Sequence, residues 1–166
     1  MADLVARRTM ALWRRLLSSP VLTLNGWVAF NLPRTVTALG GALLTGLVAV
    51  HAYVLITKPD LPGYFYAYVL VLAAACLAAA SATVVGIKPT VPQVGWYLGS
   101  LACSAFLVVY LITRWVSLPG LATVTGRWDF APGTLGIACA AAFVAVHTTV
   151  LSGINVAYPR RQQWYD

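Results

Sequence analysis

The chain has 166 residues, of which 60% are apolar and 9% charged, and its formal net charge is +7 with glutamate absent. Soluble domains use about 25% charged and roughly 45–50% apolar residues, so too little polar material is present to cover a water-facing surface. A soluble globule, a disordered chain and a disulfide scaffold are excluded, and an integral membrane protein of one domain remains.

The first segment, residues 1–34, is basic and amphipathic. Over residues 3–17, a helical rotation places Arg7, Arg8, Arg14 and Arg15 on one side. Val5, Met10, Leu12, Trp13, Leu16 and Leu17 fill the other. This pattern predicts a helix lying on the membrane surface, with the four arginines and Trp13 in contact with anionic lipid headgroups. Residues 21–30 are broken by Asn25-Gly26, are too short to span, and lack the small-residue cleavage signature of a secretory signal. They are expected to rest at the interface.

Four apolar stretches follow, at 35–57, 64–86, 95–113 and 133–156, and none contains Asp, Glu, Lys or Arg. Each is long enough to cross a hydrocarbon core of ~30 Å as a helix, which takes about 20 residues. Helix is imposed, because a backbone amide in lipid must find its partner within its own segment. Strands of a barrel would alternate in polarity, and these stretches do not. Pro33, the run Lys58-Pro59-Asp60-Leu61-Pro62-Gly63, Lys88-Pro89 with Pro92, Ala131-Pro132-Gly133 and Pro159 mark the boundaries. The expected fold is an all-α integral membrane protein: four transmembrane helices in an antiparallel bundle over 35–157, preceded by the interfacial helix and followed by a short tail, 158–166.

Basic residues near span ends orient the chain. With both termini cytoplasmic, Arg7, Arg8, Arg14, Arg15, Arg34, Lys88, Arg160 and Arg161 lie inside, and Lys58, Arg114 and Arg127 outside. The bias of eight against three predicts a multi-pass protein of the cytoplasmic membrane. Tyr64, Tyr66, Trp96, Tyr97, Trp115 and Tyr158 fall near the ends and suit an interfacial aromatic belt. No basic face survives once the spans are removed, so nucleic acid is not an expected partner.

Polar groups within spans are costly and are the first functional suspects. His51 and His147 raise the question of haem ligation or quinone contact. At 1.5 Å per residue their depths differ by about 12 Å, too far for one iron to bind both. Hydrogen-bonded neutral imidazoles are the simpler reading, so no cofactor is predicted. Cys76, Cys103 and Cys139 lie inside apolar runs and suit packing rather than disulfide or metal chemistry. All four spans carry small residues at close spacing, such as Gly40-Gly41 with Gly46, and Gly99-Ser100 with Ala102. These let helices approach closely, either within the bundle or against a partner chain.

The connection 114–132 is the one substantial loop. Arg114, Trp115, Arg127, Trp128 and Asp129 are its candidate partner contacts, with Arg127 and Asp129 within reach of each other. One aspartate and no histidine give it no acid–base set. The run Thr113-Arg114-Trp115-Val116-Ser117-Leu118-Pro119-Gly120, followed by a tryptophan and an apolar helix, resembles the junction of spans three and four in small, mostly uncharacterised four-span membrane proteins of actinobacteria. The resemblance covers about the last third of the chain and implies four spans. The carboxylate often found in the fourth span of that group is missing here. The expected role is a non-catalytic accessory subunit of a larger membrane complex, in electron transfer or transport, whose partners are other transmembrane subunits and anionic lipids. The alternatives are a haem- or quinone-contacting redox subunit and a small solute or ion transporter.

Overall fold

The computed structural model describes residues 32–58, 60–85, 88–121, 125–158 and 160. The expected surface helix with Arg7, Arg8, Trp13, Arg14 and Arg15 lies outside the described residues.

Four helices make up the described structure: α1 (Pro33–Thr57), α2 (Gly63–Val84), α3 (Thr90–Trp115) and α4 (Ala131–Ser152). Each is long and apolar enough to cross a membrane. The helices pack in a closed ring, α1 on α2, α2 on α3, α3 on α4 and α4 back on α1. The interior is filled by Leu44, Leu47, Cys76, Ala79, Trp96, Ala140 and Phe143, all fully buried. Outside this core the helices stay apolar. Ile56, Leu70, Val71 and Leu101 are 67–81% exposed, and helices apolar on every side belong in lipid.

The helix ends differ from the sequence expectation where proline and glycine act. Pro33 and Pro132 occupy first turns, as expected. α3 begins at Thr90, five residues before the predicted span, and takes Pro92 into its first turn. The missing N–H there costs nothing, because the first four amides of a helix have no internal acceptor. This earlier start moves Trp96 inward. It is fully buried in the core rather than in an interfacial belt. α4 ends at Ser152, short of the predicted residue 156, because Gly153 adopts φ 83° and closes the helix. The chain then folds back. The Asn155 amide donates to the Thr149 carbonyl, and the Tyr158 amide donates to the Thr37 hydroxyl at 2.9 Å, tying the C-terminal strap to the start of α1.

Glycines on three interfaces face inward. A Cβ on Gly95 would lie 2.8 Å from the Thr83 amide nitrogen and 2.9 Å from the Ala79 carbonyl oxygen. One on Gly40 would meet the Trp96 ring at 2.6 Å, and one on Gly99 the Phe143 ring at 2.6 Å. The bundle uses these small residues itself, as seats for two aromatic rings and for the contact of α2 with α3. Gly41 has nothing within 4 Å of its Cβ position.

Candidate functional site

The loop between α3 and α4 is fastened onto one end of the bundle. The Tyr64 hydroxyl donates to the Pro119 carbonyl at 2.6 Å, and the Gly126 amide donates to the Arg114 carbonyl at 3.1 Å. Gly120 and Gly126 have φ of 79° and 75°, turns that side-chain-bearing residues rarely adopt. Leu121 is buried, and Trp128 meets Tyr110 edge-on, with ring centroids 6.5 Å apart.

Beneath this loop lies a cavity of about 560 Å³. Its walls come from the last turns of α1 (Val50, His51, Val54, Thr57) and α3 (Phe106, Val109, Tyr110, Thr113, Arg114), and the first turns of α2 (Phe65, Tyr68) and α4 (Pro132, Gly133). Lys58, Asp60, Leu61, Gly120, Leu121, Arg127 and Phe130 complete it from the connections.

Arg114 is the main departure from the sequence expectation, which places it in an outward loop as a partner contact. It stands in the last turn of α3, 5% exposed, with its guanidinium carbon 4.2 Å above the Tyr110 ring. Gly133 makes room for this stack, since a Cβ there would lie 2.8 Å from Tyr110 Cε2 and 3.3 Å from Arg114 Nη2. A cation in a last turn gains about 0.3–1 kcal/mol from the helix dipole, and can do so while exposed. Drawing an ion out of water costs several kcal/mol, against about 0.5–2 kcal/mol from stacking on an aromatic face. Arg114 makes further interactions beyond the stack, which add to these gains.

His51 sits deeper in the same cavity. Its Nδ1 lies 2.8 Å from the Leu47 carbonyl, which only accepts, so Nδ1 carries the proton and Nε2 is left as an acceptor. The ring stands edge-on to Phe106 at 5.2 Å and to Tyr68 at 6.2 Å. The threonine hydroxyls of the wall are occupied: Thr57 donates to the Tyr53 carbonyl and Thr113 to the Tyr110 carbonyl.

His147 belongs to a separate cluster. Its Nδ1 shares a hydrogen bond with the Ser100 hydroxyl, 2.5 Å long, and its ring is stacked with Trp96 and edge-on to Tyr97. His147 Nε2 and Trp96 Nε1 are buried with no hydrogen-bond partner among the described residues. A serine against an imidazole is half of an acyl-transfer set. The acid that would orient the base is missing among the described residues here. On α3, His51 contacts Phe106 while His147 contacts Trp96, Tyr97 and Ser100. Six to ten residues separate these neighbours, roughly 9–15 Å along the helix, so the imidazoles serve two different places.

The remaining loop candidates divide. Arg127 is exposed and lines the cavity mouth, whereas Asp129 is exposed and outside the lining. Trp115 and Trp128 are 75% and 53% exposed. Cys76 and Cys103 are core residues, with Cys139 packed against the core. Among the described residues no three of His, Cys, Asp and Glu are grouped to hold a metal ion.

Phe65, Tyr68, Phe106 and Tyr110 are wall residues that sequence reasoning does not single out. Their aromatic types are common in spans, and the one available signal is that Tyr68 and Tyr110 carry hydroxyls into apolar stretches. No protein-family model, curated protein or solved structure matches this chain.

Proposed function

We propose that the chain is a subunit of a larger membrane assembly, carries out no reaction of its own, and holds a small lipid-soluble molecule in the cavity at the loop end of its bundle. The observation that carries this reading is the cavity. Its volume of about 560 Å³ falls in the range of about 300–1,000 Å³ typical of ligand sites, and its mainly apolar and aromatic wall with a few converging polar groups is also typical of them. Among the lining residues there is one carboxylate, Asp60, and neither serine nor cysteine, which suits holding better than transforming.

The arrangement in the membrane belongs to the same proposal. The helices run antiparallel, which agrees with last turns of α1 and α3 meeting first turns of α2 and α4 in one cavity. Both termini face the cytoplasm, on the bias of basic residues, and the cavity end faces away from it. The N-terminal arginines hold the chain to anionic lipid. Electron transfer or transport is the process that such a subunit serves.

Extraction of the tagged chain from its native membrane in mild detergent tests this. Other transmembrane subunits in fixed ratio, and a small molecule in the organic extract, are the expected result. A monomer that yields an empty extract refutes it.

A second reading is contact with a redox carrier. His51, a residue of the cavity wall whose Nε2 is left as an acceptor, favours it, because the hydroxyl of a reduced quinone donates to such an atom. A quinone in the extract that is lost in His51→Ala would promote this reading over the first.

A further inference from the structure

We propose that the cavity takes an anionic amphiphile with a single apolar chain, its acidic head held by Arg114, Lys58 and Arg127 and its chain lying along Val50, Val54 and Phe106. This rests on the reading that the cavity holds a lipid-soluble molecule.

Charge is the first observation. The wall holds three cationic side chains, Lys58, Arg114 and Arg127, and a single carboxylate, Asp60. A neutral ligand makes no use of that excess. Arg114 is more than nine-tenths buried, with its guanidinium carbon 4.2 Å over the Tyr110 ring. The planar guanidinium group carries several N–H donors whose geometry matches the two oxygens of a carboxylate or phosphate. Inside a low-dielectric wall the attraction is stronger than at a wet surface.

The second observation is a gradient of polarity along the helices. Val50 lies eight residues before Lys58, and Phe106 eight residues before Arg114, so each apolar residue sits ~12 Å deeper than its cation. Cations therefore ring the loop end and apolar side chains continue inward, as a head and a chain require. Val109 is both in this wall and 37% exposed on the outer face of α3. A volume suited to drug-sized molecules matches one chain better than two. Two sources share this chemistry, a free fatty acid with a carboxylate head and a lysophospholipid with a phosphate head.

The test uses the full chain in an uncharged detergent, with tryptophan fluorescence quenched by a brominated fatty acid. Saturable quenching is expected, relieved by lysophosphatidic acid and not by inorganic phosphate or by a neutral monoacylglycerol of the same chain length. Whichever acid competes at the lower concentration identifies the head. Arg114→Gln weakens binding about ten- to hundredfold, the scale of a hydrogen bond to a charged group. Arg127→Gln, in an exposed loop where folding is not at stake, weakens it about two- to fivefold. Lys88→Gln, outside the cavity, leaves it unchanged. Equal competition by the monoacylglycerol, or no loss in either arginine variant, overturns the anionic head while the cavity keeps its ligand-holding role. Competition by inorganic phosphate overturns the requirement for a chain. No saturable binding of acid or neutral amphiphile removes both this inference and the reading beneath it.

Discussion

The Arg114 guanidinium lies 4.2 Å above the ring of Tyr110, four residues back on the same helix, with 5% of the arginine exposed. Spacing of four puts the two on one face of α3, and Gly133 of α4 closes over them. The stack belongs to the wall of the cavity. Its strength is measurable as a coupling. Arg114→Gln and Tyr110→Leu, singly and together, are expected to be non-additive by about 0.5–2 kcal/mol in denaturant unfolding from micelles. Strict additivity would mean that the two side chains are stacked without energetic effect.

Packing of α2 against α3 depends on Gly95. A Cβ there meets backbone atoms of Ala79 and Thr83 rather than a movable side chain, so the helices must separate. Gly95→Ala is expected to destabilise by about 1–3 kcal/mol. Gly41→Ala meets nothing within 4 Å and is expected to be neutral or to stabilise by up to about 1 kcal/mol through helix propensity. Thermal melts of the two variants in one detergent separate these outcomes, and similar losses in both would count against the open space beside Gly41.

The Ser100–His147 hydrogen bond is read as a structural pair. Ser100→Ala then leaves a buried imidazole nitrogen without its partner and is expected to cost about 1–3 kcal/mol. Replacing both groups, as Ser100→Ala with His147→Phe, is expected to cost less than the single change, because neither position then leaves an orphaned polar atom. If the double variant instead loses the sum of the single effects, the two side chains are not energetically coupled and the structural pairing is refuted.

Orientation is open to chemical labelling. In a cysteine-free background, Asp129→Cys is expected to react with a membrane-impermeant maleimide added to intact cells, and Lys88→Cys only after lysis. The positions flank opposite ends of α3, so the reverse pattern would invert the proposed topology.

Much of the fold is legible in the sequence, and much of the site is not. The spans can be placed because their cores hold no charge. Their ends move by up to five residues where a proline is tolerated in a first turn, as at Pro92, or a glycine closes a helix, as at Gly153. Trp96 and Arg114 both mislead for one reason. Their types usually mark a membrane boundary, and their burial depends on Gly40 and Gly133, distant in sequence, which leave room for their rings and stacks. His51 and His147 are recognisable as interior polar groups. That one faces a cavity and the other a serine depends on which residues of α3 stand opposite them.

Sequence by itself determined the solvent and the number of apolar spans. Lipid makes a local demand, about 20 uncharged residues whose amides bond to one another, and a local demand is written in consecutive residues. Tertiary structure alone decided that three cations and a ring of aromatic side chains surround one space. That outcome depends on helix rotation and on a loop pinned by Tyr64 and Gly126, contacts between residues far apart in the chain, which no contiguous pattern encodes.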